Sequence, residues 1–184
     1  MPPQHNNSCV QPVVGIDPGK SGGIAILDEN GSVVLAEKLR FLGKRKDSFL
    51  DVHWLCSVLD GYKIVICEWS RPYGINGKLT WYSVGEQHAV LRTVVKLLGS
   101  GFFRVPPKVW QSMYGLDGLD YDDRKRKSTE TASRRYSMEV TKDGVADALL
   151  IAGYARKRML DGTNYVLRRS MGQVGDLYRI RRSG

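Results

Sequence analysis

Residues 63–67, Lys63-Ile64-Val65-Ile66-Cys67, form a near-continuous apolar run that stops at Glu68. A short run without alternation reads as a strand buried on both faces. Such a strand lies inside a sheet with helices on each side, so the chain must supply those helices and the neighbouring strands. Residues 13–16 are a β-rich run ending in Asp17, residues 19–23 make a turn, and residues 24–27 are a second strand. Asn30-Gly31 is a hairpin signal, expected to supply two positive-φ positions, and residues 32–39 read as a third strand. Residues 48–59 carry Phe49, Val52, Leu55, Val58 and Leu59 at helical spacing and close at Asp60-Gly61. Residues 84–98 are an amphipathic helix, and residues 102–105 a short strand. Pro106-Pro107 opens a helix through Met113. Residues 124–136 are a charged helix, and residues 144–159 a helix with an apolar side. An antiparallel meander followed by alternating helix and strand predicts an α/β fold, a mixed five-stranded sheet with helices on both faces.

Composition bounds the rest. The chain has 184 residues, enough for one domain with a real core. Its apolar share of 42% excludes a disordered chain. No window approaches the roughly 18 consecutive apolar residues of a membrane span, and residues 1–7 lack a secretory pattern. The cysteines Cys9, Cys56 and Cys67 form no close pair, which argues against a disulfide framework or zinc ribbon and for a reducing compartment. The expected location is the cytoplasm, or an organelle matrix if a transit peptide was removed. Residues 1–12 read as a flexible tail, 13–158 as the domain, and 159–184 as a basic extension with Arg168, Arg169, Arg179, Arg181 and Arg182. Lys and Arg total 28 against 19 Asp and Glu, a net charge of +9, which points to a polyanion partner, usually nucleic acid.

Four acids stand out. Asp17 and Glu68 each follow an apolar strand, and side by side they would emerge together if those strands are parallel neighbours. Asp143 and Asp147 lie four residues apart, hence on one helix face. Each has a bland use. Asp17 before Pro18-Gly19 suits a turn, Asp143 before Gly144 suits an N-cap, and Asp147 suits a first helical turn. Glu68, at the end of a buried strand, gains least from structure alone. Clustered, four carboxylates repel one another and call for hard divalent cations. Two such ions are suited to phosphodiester hydrolysis.

Gly15-Ile16-Asp17-Pro18-Gly19, the strand ending in Glu68, and Asp143-Gly144-Val145-Ala146-Asp147-Ala148-Leu149-Leu150-Ile151-Ala152 together resemble the RuvC family of Holliday junction resolvases, closest to its phage and organellar branches. The resemblance covers roughly residues 13–158. It implies an RNase H-like fold, a homodimer built on the helix at 84–98, and Mg²⁺-dependent nicking of a four-way DNA junction. Two Mg²⁺ ions per subunit are implied, with Mn²⁺ as a possible substitute, and no small-molecule cofactor. The family's catalytic and metal-binding acids would fall on Asp17, Glu68, Asp143 and Asp147. In the bacterial pattern the last two acids are three residues apart; here they are four apart.

The segment after Glu68 mixes aromatic, basic and glycine residues. In the family, the matching loop reaches the junction centre. Trp69 and Tyr73 are candidates for base stacking, with core packing an equal reading for Trp69. Arg71 and Lys78 are candidate phosphate contacts, as are Lys108 and the run Arg124, Lys125, Arg126 and Lys127. Three rival functions remain at this level. A junction-binding dimer without catalysis would lack use for four acids. Another RNase H-like nuclease could act on other branched or hybrid nucleic acids. An actin-like ATPase shares the opening motif, but needs two such domains.

Overall fold

The computed structural model describes residues 10–44, 48–69, 78–161 and 175–176. In chain order the elements are β1 (Val13–Asp17), β2 (Gly23–Leu27), β3 (Val33–Lys38), β4 (Phe41–Leu42), β5 (Phe49–Leu50) and α1 (Val52–Leu59). There follow β6 (Ile64–Glu68), α2 (Lys78–Leu97), β7 (Gly101–Val105), α3 (Pro107–Met113), α4 (Tyr121–Tyr136), α5 (Asp143–Leu160) and β8 (Gly175–Asp176). The main sheet runs β3-β2-β1-β6-β7-β8. The first three strands are the antiparallel meander, and β6 and β7 join β1 in parallel. Five full strands match the sequence expectation. The two-residue β8 adds a sixth at the edge, parallel to β7.

Two apolar layers sandwich the sheet. Val14, Ile16, Val65 and Cys67 pack with Leu55 and Leu59 of α1 and Leu91 and Val95 of α2. Val13 and Ile66 pack on the opposite face with α5, together with Trp110 of α3 and Ala132 of α4. The strands are thus apolar on both faces, which is why they read as unbroken runs.

Three helix starts and one turn differ from the sequence reading. The charged helix expected from Arg124 begins at Tyr121, where Asp120 caps it by accepting from the Asp123 backbone N–H at 2.8 Å. The helix expected at 48–59 begins only at Val52. Phe49–Leu50 pairs with Phe41–Leu42 instead, and Asp51 caps α1 by accepting from the Trp54 backbone N–H at 3.0 Å. The helix expected at 84 begins at Lys78. In the β2–β3 turn Gly31 has φ 88°, but Asn30 stays out of the left-handed region. Asp28 explains this, because its carboxylate accepts from the backbone N–H groups of Asn30 and Ser32 at 2.9 and 2.8 Å and closes the turn locally.

Candidate active site

Strand parity aims two of the acids. On β1, Val13 and Gly15 face α5, so Asp17, two residues on, faces the same side. On β6, Ile66 faces α5, and Glu68 follows suit. The parallel register pairs Ile16 with Cys67, which carries Asp17 next to Glu68 at the carboxyl edge. A one-residue slip of either strand would send its acid to the other face.

Glycines bring the other two acids to that edge. A Cβ on Gly15 would lie 2.4 Å from the Ala148 carbonyl oxygen and 2.5 Å from the Ala152 nitrogen of α5. A Cβ on Gly23 would lie 2.5 Å from the Gly144 carbonyl oxygen. Gly22 and Gly144 form a backbone bridge. Backbone therefore packs on backbone, and the first turn of α5 lies against the β1–β2 turn. Asp143 is the first residue of α5, with Lys142 as its N-cap, and Asp147 sits one turn on.

The electrostatics record the convergence. Burial, then Glu68, Asp147 and Asp143, push the Asp17 carboxyl well above the usual carboxylate range, and Lys125 opposes them. Burial likewise pushes Asp147 up to about 6, against the stabilising hydrogen bond from Ser128. Asp143 moves the other way, because the hydrogen bond from Lys125 holds it low. Burial and the charges of Asp17 and Glu68 raise the Cys67 thiol on the far face, so it stays protonated there.

Three of the acids have a dedicated partner from α3 or α4. Trp110, fully buried, donates its Nε1–H to Glu68 Oε2 at 2.9 Å. Ser128 donates its hydroxyl to Asp147. Lys125 Nζ lies 2.6 Å from Asp143 Oδ2. Sequence reasoning missed Trp110 and Ser128, since neither residue carries a charge or a motif. A signal for Ser128 existed: with Ala132 it forms a small-residue stripe at i, i+4 on an otherwise charged helix, and both are buried. Trp110→Phe keeps a ring but removes the donor. It should destabilise the fold by about 1–3 kcal/mol, leaving a carboxylate oxygen short of its bond. Urea unfolding measures the loss, and an unchanged midpoint would mean that the Trp110 hydrogen bond does not support Glu68.

The candidate DNA contacts fall in different settings. Arg71 and Tyr73 lie outside the described residues, and Lys78 opens α2. Trp69 is half-buried, its ring beneath the Arg104 guanidinium at 4.3 Å and edge-on to His88 at 4.7 Å. Burial, then the Arg104 charge, lowers His88 to about 4, so the ring against Trp69 is neutral. Lys108 is exposed on α3, two residues before Trp110. The basic run of α4 divides its work. Arg126 pairs with Asp123 at 2.7 Å and Glu130 at 3.3 Å. Lys127 donates to the Gly115 carbonyl at 2.7 Å. Arg124 lies over Tyr121 at 5.6 Å and its charge reaches Asp147. Only Lys125 of the run forms an ion pair with one of the four acids among the described contacts.

No family model matches this chain, and no curated protein sequence does. Solved structures do match. A structure described as T. thermophilus RuvC in complex with Holliday junction substrate superposes with a TM-score of 0.65 at 16% identity, covering 83% of this chain and 97% of that one. A Thermus thermophilus RuvC structure gives 0.58, also at 16% identity, over 83% and 98%. The chain has a RuvC-like fold. None of its described helices is long and apolar enough to cross a membrane.

The donor set suits a hard cation. Four carboxylates supply oxygen alone, while the nearby soft donor, Cys67, belongs to the opposite apolar layer. The spacing is open: among the described residues no group of three or more His, Cys, Asp or Glu side chains is set to hold a metal ion. Trp110, Ser128 and Lys125 each engage one of the carboxylates.

Proposed function

We propose that the chain is a structure-selective endonuclease that resolves four-way DNA junctions as a homodimer, of the phage and organellar branch of the RuvC family. One observation carries this reading. Asp17, Glu68, Asp143 and Asp147 share the carboxyl edge of β1 and β6, where burial and then the three neighbouring carboxylates push the Asp17 carboxyl well above its usual range. They do so in a fold shared with a protein described in complex with a Holliday junction substrate. Carboxylates that raise one another in this way favour a cation among them.

Asp17, Glu68, Asp143 and Asp147 would hold Mg²⁺, two ions per subunit, with Mn²⁺ as a substitute. Bound there, the metal supplies Lewis acidity at the phosphodiester and an activated water. The chain's own residues do the positioning. Trp110 fixes the rotamer of Glu68, and Ser128 fixes that of Asp147. Lys125 pairs with Asp143 and the Arg124 charge reaches Asp147, and with Trp69, Arg71, Tyr73, Lys78, Lys108, Arg126 and Lys127 they form the proposed DNA surface. Binding of that kind weakens steeply with salt.

The exposed face of α2 supports the dimer. Tyr82 and Leu97 stand 75% and 80% exposed at its two ends. Gly85, Ala89 and Thr93, all exposed, lie between them at helical spacing. An isologous pair along this helix would set two equal sites on a two-fold substrate.

The test is a labelled, fixed four-way junction incubated with the wild type and with Glu68→Gln, in Mg²⁺ and in EDTA. Paired, symmetric nicks are expected from the wild type in Mg²⁺ alone. Glu68→Gln should bind the junction as tightly and leave it whole, because Glu68 does not grip phosphate. Binding without nicks in both Mg²⁺ and Mn²⁺ would make the chain a silent junction-binding dimer. Nicking of flaps or RNA–DNA hybrids in preference would move it to another branch of RNase H-like nucleases.

A further inference from the structure

Lys125 forms an ion pair with one of the four acids proposed to hold metal. Its ammonium lies 2.6 Å from Asp143 Oδ2, a charge-assisted hydrogen bond at the short end of the range. Both side chains are about one-third exposed, so the contact is open to exchange. The same ammonium sits 4.4 Å from the centroid of the Tyr121 ring one turn earlier on α4. That ring offers a second resting place after the carboxylate is released. A groove of about 440 Å³, lined by Lys125, Arg126, Thr129, Glu130, Thr141 and Asp143, gives the side chain room to move. Lysine suits such a role: it is a compact point charge on a flexible stem, where an arginine fork would lock the carboxylate.

From this geometry we infer that Lys125 is an internal counter-ion, which occupies Asp143 in the metal-free protein and must leave before a divalent cation can use that carboxylate. The inference rests on the metal-binding reading of the four acids. It adds that metal affinity is set from outside the ligand set, by a residue of α4. It also gives Lys125 two successive partners, Asp143 before the metal arrives and the DNA phosphate after. Ser128, three residues on, holds Asp147 from the same face of α4, but as a neutral donor it can stay in place.

The experiment is calorimetric titration of the full chain with Mn²⁺, without DNA, comparing the wild type, Lys125→Met, Asp143→Asn and the double variant. Lys125→Met should bind Mn²⁺ about tenfold more tightly, the scale of one lost counter-charge at a partly exposed site. In the Asp143→Asn background the same substitution should change the affinity less than twofold, because there is no ion pair left to displace. Lys125→Gln serves as a second neutral variant and should follow Lys125→Met. Unchanged or weaker binding in both neutral variants would overturn the inference and make Lys125 an aid to metal binding. Equal tightening in both backgrounds would also overturn it, since the effect would then be general field and not displacement. The underlying reading fails separately. If Asp17→Asn binds Mn²⁺ as the wild type does, the four acids are not the metal site. If Asp17→Asn loses binding while Lys125→Met is unchanged, the counter-ion alone is refuted.

Discussion

Asp17→Asn should melt at a higher temperature than the wild type in EDTA near neutral pH, and should cleave no junction in Mg²⁺. The two effects share one cause. The Asp17 carboxyl is raised by burial and by three neighbouring carboxylates. A raised carboxyl binds its proton more tightly in the folded state than in the unfolded chain. Folding is therefore penalised once the pH exceeds the folded pKa, and the penalty vanishes below the unfolded value of 3.8. Asparagine removes it. The gain over the wild type should be largest at pH 8 and should shrink to nothing as the pH falls towards 4.

Asp147 gives this effect a scale. Raised from 3.8 to about 6, it costs on the order of 3 kcal/mol when fully ionised. Asp147→Asn should thus show a similar gain, lost between pH 6 and 4. The wild-type curve itself is a poor guide. His88, lowered from 6.5 to about 4, withdraws stability as the pH falls through that range and offsets the acids in the same window, whereas Asp143, lowered from 3.8, withdraws it only at still lower pH. The difference between variant and wild type isolates the acid. Mg²⁺ should then reverse the order, since a ligand at 100 times its Kd stabilises the folded state by about 2.7 kcal/mol. It should do so for the wild type alone. Cleavage should fall by more than about 1000-fold in Asp17→Asn. Scanning calorimetry from pH 4 to 8, with and without Mg²⁺, checks the stability half. A variant that melts below the wild type at pH 8 in EDTA would mean that Asp17 is a structural turn residue after all.

How much of this was written in the chain depends on the range of the contact. The runs ending in Asp17 and Glu68 were legible, because a strand buried on both faces leaves a one-dimensional trace. So was the helix carrying Asp143 and Asp147, whose spacing alone puts both on one face. The meeting of Asp17 and Glu68 was conditional on their strands being parallel neighbours, and β1 and β6 are. What could not be read are the partners that hold those acids. Trp110 reaches Glu68 across 42 residues, and Ser128 reaches Asp147 across 19. Neither has a local signature, and each is fixed only when α3 and α4 dock on α5. The two-residue strands β4 and β5 are invisible for a different reason: two residues show no period. The apolar spacing through Phe49 reads as helix until Asp51 stops it.

The last expectation concerns that docking. Gly15→Ala and Gly144→Ala should each unfold at markedly lower denaturant and lose most cleavage, although neither residue has a side chain to contribute. The added Cβ at Gly144 would lie 2.1 Å from the Ser21 carbonyl oxygen, and that at Gly15 2.4 Å from the Ala148 oxygen. These neighbours are backbone, and cannot turn aside as a side chain would. Helix α5 must lift from β1 and β2, which opens the apolar layer that Ala148, Leu149 and Ala152 fill. Overpacking of this kind costs about 1–3 kcal/mol or more. Displacing Asp143 and Asp147 by about 1 Å relative to Asp17 costs on the order of 100-fold in rate. Gly61→Ala is the contrast. Its φ of 82° carries strain, but nothing lies within 4 Å of its Cβ, so it should lose stability and keep its cleavage rate in the folded fraction. If Gly144→Ala behaved like Gly61→Ala, α5 would not be held by backbone contact. The placement of the last two acids would then need another cause.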